Sequence, residues 1–144
     1  MKYIVAKVED WDGVAQAVAS QLKPGMVLAL SGPLGAGKTT FVQALSRVLG
    51  AKGNLRSPTF SLVRSYEVKA EPIRQLAHVD AYRIDDERDV MPLGLDELIS
   101  EPGTVIAVEW SERISNFLRK LSVPVLSVTI EAAADGIRRV DVRE

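Results

Sequence analysis

Residues 32–39 read Gly-Pro-Leu-Gly-Ala-Gly-Lys-Thr and satisfy G-x-x-x-x-G-K-[ST] at every fixed position. The chemistry of such a loop restricts the fold around it. Glycines let the backbone take unusual dihedrals and come close to an anion. Several N–H groups then point inward, and the positive end of the following helix reinforces them. The flanks agree with this. "MVLALS" (26–31) is nearly all apolar, as a strand buried on both sides requires. Phe41, Val42, Leu45, Val48 and Leu49 outline one face of a helix that Gly50 closes. An incidental Gly-rich turn is the alternative, and the strand before and helix after it argue against that. The pattern predicts a bound nucleotide, with Lys38 reaching the β- and γ-phosphates and the Thr39 hydroxyl on Mg²⁺.

The rest of the chain alternates in the same manner. "KYIVAKV" (2–8) is β-branched and alternating, so it reads as a strand. Trp11, Val14, Ala15, Val18, Ala19 and Leu22 fall at helical spacing, stopped by "KPG". "SPTFSLVRSYEV" (57–68) and "IRQLAHVDAYR" (73–83) read as extended segments around a turn at "KAEP". Short helices broken at Pro92 and Gly94 are expected over 85–100. "TVIAVEW" (104–110) is a second buried strand, "SERISNFLRKL" (111–121) a helix, and two strands meet around Asp135-Gly136. At 144 residues this is most simply one three-layer α/β domain of the P-loop NTPase-like kind, spanning 1–144.

Composition narrows the setting. There is no cysteine, which excludes disulfides and thiolate metal sites and fits a cytoplasmic protein. No apolar run approaches bilayer length, and acidic residues interrupt the N-terminal apolar stretch as they would not in a signal peptide. Lys plus Arg is 18 against 19 for Asp plus Glu, whereas a protein that grips nucleic acid alone usually carries a basic excess. If the chain works near RNA, a partner does most of the holding.

A phosphate-loop enzyme also needs an acid at the end of another buried strand. "TVIAVEW" runs into Glu109 and "QLAHVD" into Asp80. The first is the cleaner buried strand, so Glu109 is expected to hold the metal, directly or through water, although Asp is the commoner residue there. Asp80 would orient the attacking water or share the metal's water shell. Either carboxylate, taken alone, also reads as a helix cap. Trp110 reads as packing rather than a stacking surface. His78, the only histidine, shares a strand face with Asp80 and is open to three roles: base, proton relay or structural imidazole.

"SGPLGAGKTTF", "SPTFSLVRSYE", "HVDAYR" and "VIAVEW" together resemble the TsaE (YjeE) family in order and spacing, over nearly the whole chain. The resemblance implies a mixed, mainly parallel sheet flanked by helices that binds ATP with Mg²⁺. It implies a phosphate cradle running from Gly35 through Ala36, Gly37, Lys38 and Thr39 to Thr40, entered from Gly32. Thr39 and Glu109 take the metal positions, Thr59 senses the γ-phosphate from a mobile loop, and Asp80 is a second needed carboxylate. The partners implied are TsaD and TsaB. TsaD, helped by TsaB, places threonylcarbamoyl on the adenosine beside the anticodon of tRNAs reading ANN codons, and the ATP cycle of the TsaE subunit supports turnover. Three departures stand out. Pro33 replaces a common Asp, Ser111 replaces a usual Pro, and Trp11 lies where relatives often have an adenine-contacting Thr. Trp11 either stacks on the base or is the first apolar residue of its helix.

Other functions fit less well. A small-molecule kinase would use Arg83 or Arg88 in a lid, but gives "SPTF" no role. A GTPase would need an N-K-x-D base-reading motif and a D-x-x-G switch built on a strand end, and the chain shows neither. A non-enzymatic nucleotide-binding adaptor differs from a slow ATPase only in rate.

Overall fold

The computed structural model describes residues 1–52 and 62–144. Strand β1 (Lys2–Val5) leads into helix α1 (Asp10–Ala19), and β2 (Val27–Ser31) into α2 (Lys38–Val48). A hairpin, β3 (Val63–Ala70) and β4 (Ile73–Asp80), turns at "KAEP" as expected. Then come a 3₁₀ segment (Glu87–Leu93), α3 (Leu95–Ser100), β5 (Thr104–Glu109), a second 3₁₀ segment (Ser111–Ile114) and α4 (Ser115–Lys120). β6 (Val125–Ala132) and β7 (Arg138–Arg143) finish the chain.

All seven strands join one sheet in the order β1-β7-β6-β2-β5-β4-β3. The central four, β6-β2-β5-β4, are parallel. Antiparallel pairs flank them on both sides, β3 on β4 and β7 between β6 and β1. The sheet is thus mixed and parallel where it is most buried, as the apolar runs of β2 and β5 require. All six residues of β5 are buried.

Period-2 alternation splits the core into two layers. Leu28, Leu30, Leu76, Val105, Ala107, Leu126 and Val128 face α1 and α2, where Phe41 and Leu45 are fully buried. Val27, Ala29, Ala77, Val79, Ile106 and Val108 face Leu95, Ile99 and Leu118 of the shorter helices. Among the described residues no helix is long and apolar enough to cross a membrane.

Some boundaries differ from the sequence pattern. β1 ends at Val5 because the Asp10 carboxylate accepts from the amides of Ala6 and Lys7, which turns the chain into α1. Pro92 does not break a helix but sits inside the first 3₁₀ segment, and Gly94, at φ 66°, makes the break. The expected helix 111–121 divides into its 3₁₀ turn and α4.

Candidate functional site

The phosphate loop leaves the C-terminal end of β2 and enters α2 at Lys38. Two of its glycines are required by their surroundings. Gly32 has φ 149°, and a Cβ there would lie 2.4 Å from the carbonyl oxygen of Ile130 on β6. Gly37, at φ 112°, would press a Cβ to 2.6 Å from the Trp11 ring. The first clash is with backbone, which cannot swing aside. Gly32→Ala is therefore expected to destabilise the fold by about 3 kcal/mol, the sum of backbone strain and overpacking. Urea unfolding checks this, and a change under half that size would show that the loop shifts freely.

Lys38 is only 4% exposed. Its ammonium donates to the carbonyls of Gly32 and Pro33, the latter at 3.0 Å, and lies 3.9 Å from the centre of the Trp110 ring. Burial lowers its pKa below that of an ordinary lysine, while the charges of Glu109, Glu112 and Asp80 oppose the shift. Trp110 reaches this place because its backbone is left-handed (φ 59°, ψ 44°), which turns the chain sharply after β5. Its ring packs 5.0 Å from that of Tyr82, with the Arg113 guanidinium over both. Ser111, the departure from proline, donates to the Leu30 carbonyl at 3.1 Å and so ties this turn to the end of β2.

Glu109 ends β5 on the face that carries α2 and is 4% exposed. Its carboxylate accepts the Thr39 hydroxyl at 2.9 and 3.1 Å. It also meets His78 Nε2 at 2.5 Å, where the imidazole must donate because a carboxylate can only accept. Asp80 is paired in register with Glu109 across β4 and β5. It is exposed, and its side chain accepts from the Tyr82 amide at 3.0 Å. Thr39, His78, Asp80 and Glu109 thus share one sheet face at the carboxyl edge of the parallel strands, where ligands of open α/β sheets bind. Among the described residues no group of three His, Cys, Asp or Glu side chains is arranged to hold a metal. The hydroxyl and carboxylate of Thr39 and Glu109 instead fit Mg²⁺, a hard cation that takes one or two protein oxygens and completes its shell with phosphates and water.

Trp11 is 5% exposed, with its ring against Gly37 and 6.1 Å from that of Phe41. It lies beneath the loop. Gly35 and Ala36 form the back of the loop and Thr40 the first turn of α2. Thr59, with the rest of "SPTF", lies outside the described residues. The sequence left His78 open between three roles and did not single out Arg138 for the site. His78 joins it through Glu109. Arg138 bonds the Ala36 carbonyl at 3.0 Å.

Comparison with known proteins identifies the family and the fold. The sequence profile of the family described as threonylcarbamoyl adenosine biosynthesis protein TsaE matches residues 5–140. A protein named tRNA threonylcarbamoyladenosine biosynthesis protein TsaE from Bacillus subtilis is 36% identical, over 97% of this chain and 83% of its own length. A protein of the same name from Aquifex aeolicus is 42% identical over 76% of each chain. That from Treponema pallidum is 32% identical over 99% of each. The crystal structure of Bacillus subtilis YdiB superposes with a TM-score of 0.71 at 32% identity, covering 97% of this chain and 82% of that one. With the phosphate loop, the strand-end acids and the sheet order all in place, the chain belongs to the TsaE family of tRNA threonylcarbamoyladenosine biosynthesis.

Proposed function

We propose that this chain is a magnesium-dependent ATPase of low intrinsic activity, acting as one unit over residues 1–144. It works in the cytoplasm with TsaD and TsaB, and reaches tRNA through that complex. The observation that carries the ATPase part is the Thr39 hydroxyl held on the buried Glu109 carboxylate beside the phosphate loop. Family membership supports the role in threonylcarbamoyladenosine formation.

In this reading the amides of Gly35 to Thr40, approached over Gly32, cradle the phosphates, and Lys38 leaves its loop carbonyls to bond them. Thr39 and Glu109 hold Mg²⁺, which when bound neutralises charge on the phosphate oxygens. Asp80, exposed beside Glu109, orients the attacking water, and Thr59 senses the γ-phosphate. His78 fixes the Glu109 carboxylate by donating to it. Turnover is slow because fast phosphoryl transfer needs additional positioned cations. Arg113 lies over aromatic rings and Arg138 bonds loop carbonyls, so neither is aimed at a γ-phosphate.

Adding TsaB and TsaD to the purified chain is expected to raise ATP hydrolysis by at least about tenfold, as a cation supplied in trans does for other phosphate-loop enzymes. Release of inorganic phosphate measures it. Rapid hydrolysis by the chain alone, unaffected by the two partners, would sink the reading. Phosphate appearing on an added metabolite would mark a kinase instead.

A further inference from the structure

We infer that Arg138, at the far end of the chain, is a positioning residue for the phosphate loop. The inference rests on the nucleotide-binding reading above and assigns a part of that site. Arg138 opens β7, opposite Ala132 of β6 and Val5 of β1. Because β7 runs antiparallel to β6, its first residue lies at the carboxyl edge of the parallel strands, beside the loop. Alternation places Arg138 on the same sheet face as Val140 and Val142, which pack with α1 and α2. Arg139 is exposed on the opposite face, and Arg143 is bonded to Asp141 at 2.8 Å. Three arginines that look alike in sequence therefore have different surroundings.

The half-buried Arg138 guanidinium donates from Nε to the Ala36 carbonyl at 3.0 Å, and from Nη2 to that of Gly35 at 3.4 Å. The shorter bond matters more, since hydrogen bonds weaken beyond the usual range. In a trans peptide the carbonyl and the next N–H point in opposite directions. Drawing the Ala36 carbonyl toward Arg138 therefore turns the Gly37 N–H away from it, to the other side of the loop. Gly37, at φ 112°, has no Cβ to restrict its backbone, so its own residue type does little to choose an orientation. Arg138 supplies the choice. It orders a donor amide before phosphate arrives, and preorganisation of that kind raises affinity without touching the ligand.

The test is calorimetric titration of the whole chain with ATP and Mg²⁺. Arg138→Ala is expected to bind roughly tenfold more weakly than the wild type, the value of one charge-assisted hydrogen bond. Arg138→Lys, with a cation but no planar fork, should fall between them. Millimolar ethylguanidinium should restore most of the affinity of Arg138→Ala and none of that of Lys38→Ala. A residue that merely fastened β7 would not give such a rescue. Wild-type affinity in both Arg138 variants, or no rescue, overturns the inference. If Arg138→Ala does not fold, wild-type affinity in Arg138→Lys alone overturns it. A wild-type chain that takes up no ATP would overturn the nucleotide reading itself, and this inference with it.

Discussion

Lys38→Ala is expected to weaken ATP binding by about 100-fold, the loss of two charge-assisted bonds in a partly desolvated site. Lys38 is buried, and its cation is held by two carbonyls and an aromatic face. Those partners are weaker than phosphate, so transferring the cation to a nucleotide costs little and gains much. Truncation removes that gain entirely. It leaves the cradle amides in place, so the fold and residual binding should survive. Binding should also depend on pH in a way that Lys38 explains. Burial lowers its pKa, so the free protein gives up this proton at a lower pH than an ordinary lysine would. Phosphates need the cation, so above that pH binding must take up a proton and affinity falls as pH rises. Titrations in buffers of different ionisation heat would show the uptake in the wild type and none in Lys38→Ala. An affinity within threefold of wild type in that variant would place the phosphates elsewhere.

These two halves of the site were unequally legible in the sequence. The loop and α2 declare themselves locally, because glycine spacing and helical periodicity act within a dozen residues. Glu109 followed from the apolar run before it, since such a run implies a buried strand and a polar residue at its end. Lateral neighbours were harder to read. His78 meets Glu109 because β4 lies beside β5, and strand order is set by packing of whole layers. Arg138 reaches the loop across 102 positions and only because the last strand reverses beside β6. The place of Trp11 beneath Gly37 depended on how α1 packs on α2, which its own periodicity does not encode. The run 111–121 looked like one helix because periodicity is blind to the left-handed Trp110, which sets a 3₁₀ turn before α4.

Glu109→Gln is expected to leave metal-free ATP binding within about threefold of wild type and to lower Mg²⁺-dependent hydrolysis by about 100-fold or more, the scale of losing electrostatic stabilisation at a transferring phosphoryl group. Glutamine is the informative replacement. It keeps the shape of the buried side chain, and its amide can still bond the Thr39 hydroxyl, which donates or accepts. Alanine would leave the largely buried His78 imidazole without its carboxylate partner, at about 1–3 kcal/mol for an unsatisfied group, and so mix stability with metal loss. What glutamine removes is the negative charge. Without it a hard divalent cation loses its protein counter-charge, and raising the Mg²⁺ concentration should no longer speed hydrolysis. The nucleotide responds in the opposite sense, because Glu109 close to Lys38 also repels phosphate oxygens. Metal-free affinity should therefore stay level or rise while metal-dependent turnover falls. A general loss of folding or of loop shape cannot split the two in that manner. Unchanged magnesium dependence in Glu109→Gln would move the metal to Asp80, its register partner on β4, and Asp80→Asn would then have to show the same split.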